Sequence, residues 1–401
     1  MQKHPAIILH NNKTQAVKRF HPWVFSGAVK QKEGNPDQGD VVEVFSEGGE
    51  YLGIGHFGTG SVSVRIFSFD RITSLDELWK KKLQNAFLLR RNIGLTENKT
   101  TNAYRLVNAE GDGMPGLIID WYNGTAVIQC HSKAMSVQKE KFVEILKQGY
   151  GSRLNAVYDK SSNTLNHKAQ ADNKPVTVEN TDGYLYGKPV ERIVLENNHK
   201  FAIDWEQGQK TGFFIDQRDN RQLLSNYVKD KKVLNTFCYS GGFSVYALNG
   251  GASLVHSVDS SAKAIDLTNE NVKLNGSTAT HESFASDVFD FMKASTEEYD
   301  VIVLDPPAFA KGQSARHHAI QAYTRLNQAA FKKIKKGGIV FTFSCSQVVD
   351  REMFTGAVTS AAIDSHRNIK VLHHVSQPAD HPVSIFNPEG LYLKGMVVYV
   401  E

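Results

Sequence analysis

The sequence predicts an α/β protein: a C-terminal doubly wound sheet, an N-terminal small β-barrel, and a central α+β domain between them. Three observations carry this. After about residue 190, strand-like runs at Lys232–Phe237, Leu254–Asp259, Val301–Asp305 and Gly338–Ser344 alternate with helical stretches, the pattern of a parallel, Rossmann-like sheet with crossover helices. The first 70 residues carry short alternating runs between glycine turns, as small barrels do. The 401 residues also exceed what one ordinary core holds.

Taken in order, Val41–Phe45, Tyr51–Phe57 and Val62–Phe67 are strands. Asp37-Gln38-Gly39-Asp40 and Glu47-Gly48-Gly49-Glu50 are the turns between them. Residues 1–70 form the barrel. From Ser74 to about Ile93, Leu75, Leu78, Leu83, Phe87, Leu88 and Leu89 interleave with Lys and Arg, so this stretch is helical. Tyr104–Val107, Leu117–Asp120 and Ala126–Gln129 are strands, and Val137–Leu146 is a helix. These make a central domain over 71–189. Ser161–Lys174, rich in Asn, Ser, Lys and Asp, is expected to be an exposed loop. The third domain covers 190–401 and ends in the strand Lys394–Val400.

Composition excludes several classes. With 41% hydrophobic and 22% charged residues the chain is globular rather than disordered. No apolar run approaches the roughly 18 residues of a membrane span, and Met1-Gln2-Lys3-His4-Pro5 starts no signal peptide. Cys130, Cys238 and Cys345 are widely spaced, without a Cys-x-x-Cys pair, which fits a reducing cytoplasm and neither a disulfide framework nor a zinc site. The histidines are scattered, and the adjacent pairs His317-His318 and His373-His374 are poorly spaced to chelate, so no metal is expected. A net charge of +4 permits a nucleic-acid partner without demanding one. Lys13, Lys18 and Arg19 of the barrel and Lys80, Lys81, Lys82, Arg90 and Arg91 of the helix are candidate phosphate contacts.

The chemistry gathers at strand ends, where open α/β sheets bind ligands. Ser240-Gly241-Gly242 follows the strand Val233–Phe237 and opens a helix; glycine lets the backbone turn tightly there. It is not Gly-x-Gly-x-x-Gly, which disfavours a dinucleotide grip. Asp259 ends the next strand, where an acid can accept bonds from both ribose hydroxyls. Asp287 ends a third expected strand and could meet an adenine amino group. Asp305-Pro306-Pro307 forces its strand out of the sheet, because two prolines neither continue a central strand nor donate. Cys345 sits where the run Ile339–Ser344 ends. A glycine turn, an acidic Pro-Pro loop and a cysteine on strand tips look like a methyltransferase using S-adenosylmethionine. The cysteine further suggests attack on a pyrimidine: carbon 5 of cytosine becomes nucleophilic only after a thiolate adds to carbon 6. Cys238 reads as packing.

Nearly the whole chain resembles the bacterial ribosomal RNA large-subunit methyltransferase I family. The resemblance rests on His21–Ala28, Tyr104–Leu117, Gly208–Arg218, Asn269 and Asn271 with Leu274-Asn275-Gly276, Asp305–Lys311, Ser344-Cys345-Ser346 and Asp380-His381-Pro382. It implies an RNA-binding PUA domain at the N-terminus, a class I methyltransferase domain at the C-terminus, S-adenosylmethionine as cofactor and ribosomal RNA as partner. It implies Cys345 as nucleophile with Asp305 in the base pocket. Phe214, Asp216, Gln217, Arg218, Ser240, Gly241, Gly242, Asp259, Asp287 and Asp305 would line the cofactor. Ala308-Phe309-Ala310 lacks the second cysteine of some RNA cytosine methyltransferases. In Tyr158–Asn163, where an Arg-rich element is expected, the sequence departs from the family. A homodimer is compatible with this reading. Two alternatives stay open: methylation of a guanine, which needs no cysteine, and an RNA-binding protein with a degenerate catalytic domain.

Overall fold

The computed structural model describes residues 4–165, 182–310 and 312–401. The chain forms two compact units: Met1–Arg192 with Ile203–Phe213 and Ala379–Gly390, and Ile193–Ala202 with Phe214–Pro378 and Leu391–Glu401.

The first unit holds two sheets. The strands β1 (Ala6–Leu9), β2 (Trp23–Phe25), β3 (Val29–Glu33), β4 (Val41–Ser46), β5 (Tyr51–Phe57) and β6 (Val62–Ser68) pair in the order β2-β6-β5-β4-β1-β3. Alternation along β4 buries Val42 and Val44 with Ile7, Leu9, Val24 and Val64. The second sheet contains β7 (Ala103–Asn108), β8 (Leu117–Tyr122), β9 (Thr125–Cys130), β10 (Ala156–Asp159) and β11 (Gly183–Gly187). Helix Leu75–Asn92, capped by Ser74, packs Trp79, Leu83 and Ala86 into this unit's core.

Arg90 lies on the same helix face and is fully buried. Its guanidinium donates to Asp112, to the Arg105 and Ala86 carbonyls and to the Asp380 carbonyl. The phosphate role expected of it is therefore incorrect; the side chain is consumed inside the core. The expected exposed loop from Ser161 is also corrected where it is described. Ser161 is fully buried and donates to Asp159, and its hydroxyl accepts from the Cys130 N–H. Residues 166–174 lie outside the described residues, as does Lys311. Lys160, in the segment expected to be Arg-rich, is buried with Nζ on the Trp205 and Glu206 carbonyls.

In the second unit, β12 (Ile193–Glu196) and β13 (His199–Ala202) form a hairpin. The main sheet contains β14 (Lys232–Thr236), β15 (Leu254–Asp259), β16 (Thr280–Ala285), β17 (Tyr299–Leu304), β18 (Ile334–Ser344), β19 (Ile369–Val375) and β20 (Lys394–Val400). Their order is β16-β15-β14-β17-β18-β20-β19. The first five are mutually parallel, but β20 runs antiparallel to both β18 and β19. The parallel sheet expected from the alternation holds for its first five strands and departs at this one: no α-helix separates β19 from β20, only a 3-10 turn at Pro388–Gly390, and β20 enters from the opposite end. The chain builds outward from β14 to β16 and then from β17 to β20, which makes the β14–β17 boundary a topological switch point.

Candidate active site

Register sets the site. Val258, Thr236, Leu304 and Thr342 are in-register partners across β15, β14, β17 and β18. The next residues, Asp259, Phe237, Asp305 and Phe343, therefore emerge in one row on the C-terminal edge. Asp259 and Asp305 are two strand spacings apart, about 10 Å between their backbones.

On the β14–β15 side, the chain leaves β14 through strained backbone: Phe237 and Tyr239 have φ of 54° and 46°. Asp259 fixes this turn. Its Oδ2 accepts from the Tyr239 N–H at 3.0 Å and its Oδ1 from the Ser261 N–H at 2.9 Å. Asp259 stays half-buried, and a carboxylate with two N–H donors retains acceptor capacity for two hydroxyls. Helix Ala262–Asn275 holds the other side of the turn, Thr268 bonding the Tyr239 carbonyl and Asn271 the Ser240 carbonyl. Gly241 has φ of 72°, and a Cβ there would stand 2.7 Å from Thr268 Cγ2, so only glycine lets this helix close on the turn. The half-buried Phe214 meets Tyr239 edge-on, ring centroids 5.1 Å apart.

Asp287 stands two residues beyond the end of β16 rather than on its tip. It caps helix Val288–Ala294, with Oδ1 accepting from Phe289 and Asp290 N–H. That is the ordinary work of an aspartate at a helix start.

On the β17–β18 side, Asp305 Oδ1 accepts from Gln217 Nε2 at 2.9 Å, and Asn220 Nδ2 holds Gln217 Oε1 at 2.6 Å. Asp216 accepts from the Tyr392 hydroxyl at 2.7 Å. Arg218 is buried and faces Asp219 at 3.5 Å. Ser344 and Ser346 are fully buried. Ser346 Oγ pairs with the Tyr323 hydroxyl at 2.9 Å and accepts from the Ala310 N–H at 3.4 Å. Between these serines Cys345 is half-buried, its Sγ 3.9 Å from the Pro306 carbonyl. Cys238 is buried against Thr268, and burial pushes its thiol up to about 12. Cys130, in the first unit, is likewise pushed up to about 12 by burial.

The structure thus brings Cys345, Pro306, Asp305 and Gln217 together on one side of the switch point, and Asp259, Ser240, Gly241 and Phe214 on the other. Asp380-His381-Pro382 lies in the first unit. There Asp380 accepts from the Arg105 N–H and Pro382 from Asn108; a Cβ on Gly111 would sit 1.9 Å from the Pro382 carbonyl. Sequence reasoning missed Lys394 and Tyr392. Lys394 is 4% exposed and donates to the Ser346 carbonyl at 2.8 Å. Its only sequence signal is a lysine heading an otherwise apolar strand.

Comparison with known proteins agrees with this geometry. A profile of S-adenosylmethionine-dependent methyltransferases matches residues 105–382, and a PUA-like domain profile matches residues 7–69. The class is therefore that of S-adenosylmethionine-dependent methyltransferases, and the half-exposed acid and glycine turn suit that cofactor. The chain is 37% identical over 402 residues to ribosomal RNA large subunit methyltransferase I of Aeromonas hydrophila, covering 98% of each chain. It is 37% identical over 405 residues to the protein of that name from Photobacterium profundum, covering 99% of each. The chain belongs to the ribosomal RNA large subunit methyltransferase I family. Among solved structures, a Streptococcus mutans chain described as a candidate SAM-dependent methyltransferase shares the fold, with a TM-score of 0.84, 22% identity and coverage of 98% of this chain and 100% of that one. So does a candidate methyltransferase complexed with SAH, with a TM-score of 0.85, 22% identity and the same coverage. No helix among the described residues is long and apolar enough to cross a membrane.

Proposed function

We propose that this enzyme methylates carbon 5 of a cytosine in large-subunit ribosomal RNA through a covalent Cys345 adduct. One observation carries the reading: Cys345 is the half-exposed thiol, beside the Asp305-Pro306 loop, whereas Cys130 and Cys238 are buried. The Cys345 thiolate adds to carbon 6, forming the sulfur–carbon bond and placing the electron pair on carbon 5. S-adenosylmethionine, when bound, would supply the methyl group that carbon 5 takes up, the methyl–sulfonium bond breaking with its electron pair left on the cofactor sulfur. A base then removes the carbon 5 proton, and the returning electron pair rebuilds the double bond and expels the Cys345 thiolate. Asp305, oriented by Gln217, accepts from the cytosine amino group.

Asp259 holds the cofactor ribose and Asp287 the adenine edge. Ser240, Gly241 and Gly242 give the turn that approaches the cofactor, and Phe214, Asp216, Gln217 and Arg218 border it. Residues 1–70 and 71–189 serve as RNA-holding domains, with Lys13, Lys18, Arg19, Lys80, Lys81, Lys82 and Arg91 supplying phosphate contacts. The reading places the enzyme in the cytoplasm. The test is product identity. Large-subunit ribosomal RNA lacking the modification, incubated with enzyme and methyl donor and digested to nucleosides, should yield 5-methylcytidine by mass spectrometry; a methylguanosine product contradicts the reading.

A further inference from the structure

The segment around Cys345 is held from one side by two buried serines and from the other by a lysine that packing alone does not require. β20 runs antiparallel to β18 and pairs Lys394 with Ser344. From there the Lys394 side chain reaches past Ser344 to the carbonyl of Ser346, so its ammonium sits on the short segment that carries Cys345. A buried ammonium has three protons to satisfy, and Ser346 is the acceptor Lys394 finds among the described residues. No carboxylate lies within ion-pair distance of it among those residues.

Three charged or titratable groups act on Lys394: Cys345, Asp350 and Arg351. Asp350 and Arg351 oppose each other at the start of helix Arg351–Asp364, where the exposed Asp350 is committed to capping through the Met353 N–H. The Cys345 sulfur is the one group whose ionisation would complete the buried charge. Burial pushes Lys394 down to about 8, so it is still protonated at neutral pH.

We propose that Lys394 is the positioning residue for the nucleophile: its ammonium is the counter-ion of the Cys345 thiolate and makes that thiol reactive at neutral pH. This rests on Cys345 being the nucleophile. A thiol beside a cation ionises more readily, and only the thiolate attacks.

The test is the rate at which iodoacetamide alkylates Cys345 in the full-length enzyme, followed by peptide mass spectrometry across the neutral and alkaline range. Lys394→Gln keeps a donor for the Ser346 carbonyl and removes the charge. It should raise the midpoint of the alkylation profile by about one pH unit and slow alkylation at neutral pH about tenfold. Lys394→Arg should restore most of the parent rate. A purely structural role would lower the melting temperature of Lys394→Gln while leaving the midpoint in place, and that result overturns the proposal. If Lys394→Gln fails to fold, Lys394→Met replaces it, with the same midpoint shift expected and an unmoved midpoint again contradictory. Methyl transfer by Cys345→Ala separates the two levels. An active Cys345→Ala enzyme removes the nucleophile and this proposal with it, whereas an inactive one with an unmoved Lys394→Gln midpoint removes the lysine alone.

Discussion

Both units contain charged groups in the sheet region, but they are used differently. In the first unit two pairs are closed. Arg105 and Asp120 are 10% and 0% exposed and joined twice, at 2.8 and 3.0 Å. Asp120 also accepts from Thr211 at 2.6 Å. Arg90 and Asp112 are 0% and 4% exposed and similarly paired. At the strand tips of the second unit Asp259 and Asp305 are only half-buried, and hydrogen bonds from the Tyr239 N–H and from Gln217 orient the two carboxylates. The second unit can close a pair when architecture needs it: Arg221 and Glu196 are 3% and 0% exposed, at 2.8 Å. The half-open acids are thus a property of the C-terminal sheet edge. A closed charge holds the chain; a half-exposed, oriented charge is the kind a ligand could meet.

Substitutions at each kind of site should break in different currencies. The largest effect is expected at the tip thiol. Cys345→Ser should lower methyl transfer by about a thousandfold or more while cofactor binding and melting temperature stay near the parent, because serine is a far weaker nucleophile. Single-turnover kinetics and calorimetry check both halves. If Cys238→Ser is the inactive variant instead, the base pocket has been assigned one strand away.

Next comes the closed pair. Asp120→Ala leaves a buried guanidinium without its carboxylate and should cost about 3–5 kcal/mol of stability. Denaturant unfolding measures it, and a loss no larger than that of a surface substitution would mean the closed network is not structural. The smallest effect is expected at the oriented acid. Asp259→Ala should weaken S-adenosylmethionine by about 1–3 kcal/mol, through the lost hydroxyl acceptor. Isothermal calorimetry decides it; parent-like affinity removes Asp259 from the cofactor site and erases the contrast between the two regions.

The elements that hydropathy encodes were legible. Tyr51–Phe57, Leu254–Asp259 and Lys394–Val400 are strands over the same bounds in sequence and structure, because their apolar runs end at polar or turn residues. Direction is not encoded that way, so the reversal of β20 was not legible. It is that reversal which carries Lys394 to Ser344. Arg90 was legible in principle: it follows Trp79, Leu83 and Ala86 on one helical face, a position that should bury it. A basic run masked that periodicity, and its partner at Asp380 is 290 residues away, beyond any local pattern. The tip residues Asp259, Asp305 and Cys345 were visible because each follows an apolar strand. Gln217, which donates to Asp305, is legible only through the family resemblance; Asn220, which holds Gln217, and Tyr392, which donates to Asp216, carry no strand-tip signal, and only tertiary folding brings them in.

The most direct test of covalent catalysis uses RNA in which the target cytidine carries fluorine at carbon 5. Fluorine cannot leave as a proton, so after methyl transfer the Cys345–carbon 6 bond cannot be eliminated. With S-adenosylmethionine present, the full-length enzyme should form a stable protein–RNA adduct on denaturing gels, with the cross-link mapping to Cys345 by mass spectrometry. Efficient methylation of the unmodified RNA with no adduct on the fluorinated one, or an adduct on Cys238, would contradict the account.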